Sequence, residues 1–400
     1  MPQNLIVNTI PKAQLVLGYR EVFKVDPPTD RLSLVSGICR RNLIVELAGL
    51  NYRLKRKNSK HQDTSLKTQA KELRYFCNND DLTLKRYSKI ADSYTQSKTD
   101  YPLIFIRQSC LFALEEIIQS DMKVIENFNV STPEVWDSIL KYLLAVNSEL
   151  TEIQREDDDQ SVTFEKINPK MLPLNELNVS IDPIYTPYRG YRLLEYLSTR
   201  PEFQNELIQY FEKTYSTTFD YFIYETLGMY LGNKHPDPEH DFYYNVTENS
   251  KTLFEALSKK LDSKDIIKLL SIKKYPFYKS EANVYVLFDN ILLLEKSYSQ
   301  FINDFWFDYV KGLTDTDGKR MFNIQRYRST IGYFFEKYVK ETINYCFEGS
   351  KHYTIKLFEE LKVSRKGGEN EIADLYIRYD SKIILGQVKS TGCMTNCTFL

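Results

Sequence analysis

The stretch at residues 371–390 reads EIADLYIRYDSKIILGQVKS, and it decides how the C-terminal part of the chain folds. Two runs rich in Ile, Leu, Val and Tyr flank a polar break at residues 380–381, which is typical of a β-hairpin with a tight turn. Because side chains alternate between the two faces of a strand, Gln387 and Lys389 share one face. The hairpin is therefore predicted to bring the Asp374 carboxylate of one strand near this amide and ammonium of the other.

A carboxylate, an amide and an ammonium in one place are suited to phosphate chemistry. Mg²⁺ prefers oxygen ligands and usually takes one or two carboxylates, while water and substrate phosphate fill its other positions. Asp374 and Gln387 offer such oxygens, and Lys389 would stabilise an attacking water or a developing phosphate charge. The simpler alternative is a solvated hairpin, in which Asp374 and Lys389 form a cross-strand ion pair worth about 0.2–1 kcal/mol.

At these residues the chain resembles the PD-(D/E)XK nuclease superfamily. The family pattern places an acid at the start of the second core strand, and an acidic or amide residue, any residue and a lysine in the third. Asp374 matches the acid of the second core strand. Gln387-Val388-Lys389 matches the motif of the third core strand, in the Gln-for-Glu form of the Mrr-like restriction nucleases. Family members also carry a Glu on the helix before the first strand, for which Glu336 is the candidate.

The elements that precede the hairpin follow the order that this resemblance requires. Residues 327–347 carry apolar side chains at helical spacing, and Glu336 lies within that predicted helix. Residues 353–358 then supply a first strand. The order helix, strand, strand, strand is the opening order of the family.

The resemblance implies a site that holds Mg²⁺ or Mn²⁺. The metal ligands would be the Asp374 carboxylate, the side-chain oxygen of Gln387 and the carbonyl of Val388. Lys389 would position a water for in-line attack on the phosphodiester, and Glu336 would hold an outer-shell water or a second metal. The family core continues with a second helix and a fourth strand, so we expect the domain to be incomplete within residues 319–400. A longer natural chain, elements supplied from elsewhere in the fold and a degenerate domain all remain open.

The length of 400 residues suits two or three domains, and we predict a multidomain α+β protein. Residues 1–100 are predicted to form a β-rich N-terminal domain with a basic patch, and residues 101–318 a mainly helical domain. Residues 319–400 are predicted to form the α/β restriction-endonuclease-like domain. The N-terminal strands are expected at residues 5–7, 15–17, 22–25, 32–35 and 43–45.

The middle of the chain shows apolar residues at helical spacing over long stretches. One stripe covers residues 103–118, and Pro133 marks the first turn of the next helix. Further helices are predicted at residues 191–215, 250–270 and 281–310.

The formal net charge of −1 requires that any nucleic-acid contact be local. Residues 31–100 carry 15 Lys and Arg against 7 Asp and Glu. Within them, a basic run supplies the predicted nucleic-acid-binding residues Arg53, Lys55, Arg56 and Lys57. A solvated loop whose lysines discourage aggregation explains the same run equally well.

Six cysteines are scattered through the chain, which indicates reduced thiols and a cytoplasmic protein. Neither a signal peptide nor an apolar run of about 18 residues is visible, so no membrane partner is expected. No P-loop is present, so an ATPase subunit would have to be a partner chain. The favoured function is a Mg²⁺-dependent endonuclease that hydrolyses DNA, in restriction or phage defence. RNA is the alternative substrate, and a non-catalytic nucleic-acid-binding or adaptor subunit is the alternative class of protein.

Overall fold

The structure is a computed structural model that describes residues 16–55, 62–63, 65–77, 80–93, 102–120, 133–158, 182–232, 241–259, 271–349, 353–357, 362–365, 368–371 and 373–386. It is an α+β protein whose chain forms two compact units. The first unit comprises residues 1–183 and 226–295, and the second comprises residues 184–225 and 296–400. This division differs from the predicted boundaries at residues 100 and 318, because the chain leaves the first unit and later returns to it.

The described part of the chain is mostly helical. Its helices are α1 (Tyr19–Phe23), α2 (Arg40–Arg53), α3 (Leu66–Phe76), α4 (Asp81–Ser93), α5 (Arg107–Gln119), α6 (Pro133–Asp158), α7 (Tyr185–Ser198), α8 (Gln204–Tyr215), α9 (Phe219–Gly232), α10 (Glu248–Ala256), α11 (Ser271–Lys274), α12 (Asn290–Glu295), α13 (Ser299–Asp304) and α14 (Ile324–Cys346). Its strands are β1 (Tyr243–Asn245), β2 (Ser258–Lys259), β3 (Phe277–Glu281), β4 (Val284–Leu287), β5 (Tyr353–Leu357), β6 (Lys362–Arg365), β7 (Gly368–Glu371), β8 (Leu375–Tyr379) and β9 (Lys382–Gly386).

The first unit is built around the packing of α2 against α5. On α2, Leu43, Leu47 and Leu50 recur at spacings of four and three residues and are fully buried. On α5, Leu114 and Ile117 form part of a matching buried stripe. Residues three and four apart share one face of a helix, so these apolar faces meet and remove each other from water. This confirms the helix predicted over residues 103–118 from residue 107 onward, and α6 begins at Pro133 as predicted.

The predicted β-rich N-terminal domain is wrong for the described residues. The segment 43–45 lies within α2, because the apolar pattern continues at helical spacing and burial against α5 outweighs the β propensity of Ile and Val. The segment 32–35 lies in a 3₁₀ helix, and the Asp30 side chain accepts a hydrogen bond from the backbone N–H of Leu32 at its start. The segment 22–25 begins in the last turn of α1, and Lys24 directly after the helix takes the left-handed conformation. Residues 5–7 lie outside the described residues, and Val16 of the segment 15–17 forms only an isolated bridge with Leu103.

A four-stranded sheet lies where the sequence predicted mainly helices. Its strand order is β1-β4-β3-β2; the β1–β4 and β3–β4 pairs are antiparallel, whereas β2 and β3 are parallel. Tyr285 of β4 pairs with Tyr244 of β1 and with Lys279 of β3, and its side chain is fully buried. The apolar run of β4 was assigned to a helix at 281–310, because a short apolar run fits a buried helix as well as a strand.

The core of the second unit is aromatic. Phe305 lies 5.2 Å from Tyr210 and 5.3 Å from Phe301 between ring centroids. The long helix α14 confirms the helix predicted at 327–347, and it adds Tyr327 and Phe334 to the buried residues of this unit. The predicted helix at 191–215 is instead the pair α7 and α8.

The C-terminal hairpin is confirmed. Strands β5, β8 and β9 form an antiparallel sheet in the order β5-β8-β9, and a separate hairpin joins β6 to β7. Tyr379 pairs with Lys382, so residues 380–381 form a two-residue connection. Asp380 has a φ of 54°, a conformation that Asp adopts more readily than most residues.

Within the described ranges, no helix is both long enough and apolar enough to cross a membrane.

Cys39, Cys77 and Cys110 are buried free thiols, and Cys346 is an exposed one. Burial raises the pKa of the Cys77 thiol to about 12.

Candidate functional site

Asp374 enters the C-terminal sheet at its central strand. It is the residue before β8 and is partly buried. Its neighbour Leu375 pairs with Leu357 of β5 on one side and with Gly386 of β9 on the other. Asp374 therefore lies directly before the strand to which the sequence pattern assigned it.

The partners predicted for Asp374 can be followed only in part. Gln387, Val388 and Lys389 lie outside the described residues, directly after Gly386 at the end of β9. Because Gly386 pairs with the residue after Asp374, the last described residue of β9 lies at the same end of the sheet as Asp374. The convergence of Asp374 with Gln387 and Lys389 stays a prediction.

Glu336 lies on the exposed side of α14. The buried positions of this helix are Tyr327, Ile331 and Phe334, which recur at spacings of four and three residues. Glu336 is off that buried stripe, so its carboxylate is accessible to solvent. The structure thus confirms the helix predicted for Glu336, while the role of its carboxylate stays a prediction.

The two faces of the β5-β8-β9 sheet differ in chemistry. Leu357 and Ile377 are 3% and 9% exposed, and they belong to the buried face. On the other face, Tyr376 pairs with Lys356, and Arg378 is two residues further along β8. Lys356 and Arg378 are both exposed. Because alternate residues of a strand share a face, this is also the face expected for Asp374.

The sequence reasoning missed Lys356 and Arg378 as functional candidates. The signal was present in the run Thr354-Ile355-Lys356-Leu357, whose alternation puts the lysine opposite to the buried face. Together the two cations give the exposed face a local positive charge beside Asp374. Such a face can hold a phosphodiester strand by electrostatic attraction.

Arg53, predicted to bind nucleic acid, is instead held inside the first unit. Its Nε donates to the Glu72 carboxylate at 2.9 Å, and its guanidinium lies 4.6 Å from the centroid of the Tyr75 ring. Burial alone would lower the pKa of Arg53, but the Glu72 carboxylate outweighs it and raises that pKa. The guanidinium is therefore committed to a structural ion pair.

Lys55 is committed in the same way. Its ammonium lies 3.0 Å from the carboxylate of Asp289, which is fully buried. Burial lowers the pKa of Lys55, and the Asp289 carboxylate opposes that shift. Because Lys55 and Arg53 hold carboxylates within the protein, we no longer assign them to phosphate binding. Arg56 and Lys57, the other two predicted contacts, lie outside the described residues.

The predicted metal ligands are all oxygen atoms. Among the residues that the structure describes, no group of three or more His, Cys, Asp and Glu side chains converges so as to hold a metal ion. The predicted ligand set contains only one such side chain, Asp374, together with an amide oxygen and a backbone carbonyl. This all-oxygen set matches the preference of Mg²⁺ and Mn²⁺.

Comparisons of the chain with protein-family models, with curated proteins and with solved structures found no match. The functional assignment therefore rests on the residues and geometry of the chain itself.

Proposed function

We propose that the protein is a metal-dependent endonuclease that hydrolyses phosphodiester bonds in DNA. The observation that carries the proposal is the order of elements around Asp374. Helix α14 precedes three antiparallel strands in the order β5-β8-β9, Asp374 directly precedes the central strand, and β9 ends one residue before Gln387. This order supports the resemblance to the PD-(D/E)XK nucleases that the sequence motif suggested.

The proposed site combines hard oxygen ligands with a cation. Asp374, the side-chain oxygen of Gln387 and the carbonyl of Val388 would hold Mg²⁺ or Mn²⁺. When bound, the metal supplies Lewis-acid stabilisation of the negative charge that develops on the phosphate. Lys389 orients a water molecule for in-line attack, and Glu336 holds an outer-shell water. A neutral Gln in place of Glu leaves the site with less negative charge, so substrate phosphate is needed to complete the metal's coordination.

The exposed cations of the sheet have a supporting role in this proposal. Lys356 and Arg378 are on the face expected for Asp374, and neither belongs to the hydrophobic core. They bind non-bridging phosphate oxygens on either side of the scissile bond. Such contacts fix the position of the strand without reading its sequence.

The test is cleavage of plasmid and single-stranded DNA by the whole chain with Mg²⁺ or Mn²⁺. Asp374→Asn and Lys389→Ala are expected to abolish cleavage, since each removes a group that acts on the phosphate. Asp380→Asn is the matched control, because it removes a carboxylate from the turn of the same hairpin and Asn tolerates the left-handed conformation. This control is expected to keep full activity.

The outcomes separate the alternatives. Cleavage of RNA but not DNA, lost in the same two variants, would keep the site and change the substrate. Absence of cleavage by the folded chain on both nucleic acids would contradict the proposal. Restoration of cleavage by an added partner chain would instead show that the activity depends on a complex. Failure in that experiment too would favour the non-catalytic adaptor.

A further inference from the structure

A cleft of about 640 Å³ opens between α3 and α4 in the first unit. Its floor is apolar and includes Leu73 and Ile104. Its walls carry three cations, Arg74 from α3 and Lys85 and Lys89 from α4. The cleft thus combines an open shape with positive side chains from two neighbouring helices.

These three cations differ from Arg53 and Lys55 in their partners. Those two are each paired with a buried or nearly buried carboxylate. In contrast, no carboxylate among the described residues forms an ion pair with Arg74, Lys85 or Lys89. These charges are not used in ion pairs that stabilise the described structure, so they are available to attract an anionic ligand.

The cations lie on both walls of the cleft. Lys85 and Lys89 are four residues apart, so they share one face of α4 and are separated by about 6 Å along its axis. Arg74 is exposed and lines the facing wall on α3. Cations spread along one helix and across to its neighbour fit an extended anion better than a compact one.

The acidic residues of the cleft lie toward the two ends of α4. Asp81 is the first residue of this helix, where its negative charge interacts favourably with the helix dipole. Asp92 is the last residue but one. The one buried amide at the cleft, Gln69, is fully engaged. It accepts from the backbone N–H groups of Ile104 and Phe105 and donates to the carbonyl of Phe105. Along the described lining, no buried polar group therefore awaits a small ligand.

We propose that the cleft between α3 and α4 binds the sugar–phosphate backbone of a nucleic acid. Arg74, Lys85 and Lys89 contact successive phosphates, and the apolar floor accepts the sugars. Because the cations contact the backbone, binding is independent of base sequence and strongly dependent on salt. This site needs no metal, and its function does not depend on cleavage at Asp374. It gives the first unit a nucleic-acid contact of its own.

The test is equilibrium binding of the whole chain to fluorescently labelled oligonucleotides in EDTA, where metal-dependent cleavage cannot occur. Single-stranded and double-stranded DNA and RNA of equal length are titrated at 50–200 mM salt. The three phosphate contacts of the cleft are expected to contribute about −2 to −3 to the slope of log K against log salt, in addition to the contribution of Lys356 and Arg378. The DNA and RNA arms identify which nucleic acid supplies the phosphates.

The central variant is the triple substitution Arg74→Gln, Lys85→Gln and Lys89→Gln. It is expected to weaken binding at least tenfold at 50 mM salt and to reduce the steepness of the salt slope by about 2–3. The matched control removes three lysine charges from exposed positions outside the cleft, with Lys213→Gln, Lys311→Gln and Lys319→Gln. Its affinity is expected to stay within about threefold of that of the parent chain. Unchanged affinity in the cleft variant would overturn the proposal.

A variant that binds more tightly than the parent chain cannot owe this effect to a folding defect. Asp81→Asn with Asp92→Asn removes the two carboxylates of the cleft and is expected to tighten binding several-fold. Asp374→Asn is expected to bind as the parent chain does in EDTA, so failure of the nuclease proposal would leave this result unaffected. No binding of any oligonucleotide by the parent chain would refute the cleft proposal. Equal or tighter binding of poly-glutamate would also refute it and assign the cleft to an acidic protein.

Discussion

The Lys55 ammonium lies 3.0 Å from the buried carboxylate of Asp289, and this pair belongs to a network inside the first unit. The same carboxylate oxygen accepts from Arg107 Nε at 2.8 Å and from Asn51 Nδ2 at 2.9 Å. The other oxygen accepts from the backbone N–H of Ile291 at 2.7 Å. Asp289 therefore joins the end of α2 and the beginning of α5 to the first turn of α12.

Replacing Asp289 by Asn tests how much this network contributes to the free energy of unfolding. The side chain keeps its size and still provides an oxygen for the N-terminus of α12, but Lys55 and Arg107 lose their counter-charge in a buried place. Breaking a buried ion pair from one side costs about 3–5 kcal/mol. We expect a loss of that size in the free energy of unfolding at pH 7, measured by urea denaturation followed by circular dichroism.

The control for this substitution is Asp26→Asn. Asp26 also pairs with an arginine, Arg20, but its side chain is 75% exposed. Solvent-exposed pairs contribute about 0–1 kcal/mol, so the free energy of unfolding should change by no more than that. Equal losses in the two variants would contradict the structural role given to Asp289.

The pH dependence of stability provides a second prediction about the same group. Burial alone would raise the pKa of Asp289, but the charges of Arg107 and Lys55 outweigh it and hold the pKa well below its usual range. A depressed folded-state pKa stabilises the protein above the unfolded value, which is about 3.9 for Asp. That stabilisation is lost as the pH falls toward the folded-state value.

The stability gap between the parent chain and Asp289→Asn should therefore be fully developed at about pH 5. Below about pH 4 it should shrink by roughly 1.4 kcal/mol for each pH unit. Urea denaturation of both proteins at several pH values measures the gap. A gap that does not shrink below about pH 4 would show that another group governs it.

Lys55 also shows why the sequence alone could not tell which basic residues are available to a ligand. A basic run reveals charge but not the partner of each charge, and the Lys55 ammonium finds its partners Asp289 and Asn290 234 and 235 residues further along the chain. The C-terminal hairpin was predictable because its information is local. Two apolar runs and an Asp-containing turn suffice to specify it.

The N-terminal helices illustrate the other limit of the sequence. Leu43, Ile44 and Val45 have the composition of a strand, yet they form part of α2 because the helix buries a longer stripe against α5. For the candidate site, the positions of Asp374 and Glu336 on their elements followed from local patterns. Lys356 joined the candidates only when strand pairing placed it beside Tyr376.

Gly190 offers a test of close packing within the second unit. This residue lies in α7, and a Cβ added to it would come within 2.0 Å of the carbonyl oxygen of Ser297. Ser297 is fully buried, so the backbone there has little room to move. Gly190→Ala is expected to lower the free energy of unfolding by about 1–3 kcal/mol, because overpacking outweighs the helix propensity of Ala.

The matched control is Gly228→Ala. Gly228 also lies within a helix, α9, but it is exposed and an added Cβ would meet nothing within 4 Å. Here the higher helix propensity of Ala acts alone and should raise the free energy of unfolding by about 0.5–1 kcal/mol. The midpoint of thermal unfolding is expected to fall in Gly190→Ala and to rise in Gly228→Ala. A stabilised Gly190→Ala would mean that the contact with Ser297 relaxes at little cost.

Lys356 provides the sharpest prediction about the proposed active site. If its ammonium holds the substrate strand on the exposed face of the sheet, Lys356→Gln should weaken DNA binding while leaving the chemical step intact. We expect KM to rise about tenfold with kcat within about threefold, because a uniform binding contact affects both ground state and transition state. Lys382→Gln is the control, since Lys382 pairs with Tyr379 and so belongs to the other face. Steady-state cleavage of a labelled oligonucleotide measures both constants. Equal effects of the two substitutions would show that general charge, and not the face bearing Lys356, attracts the DNA.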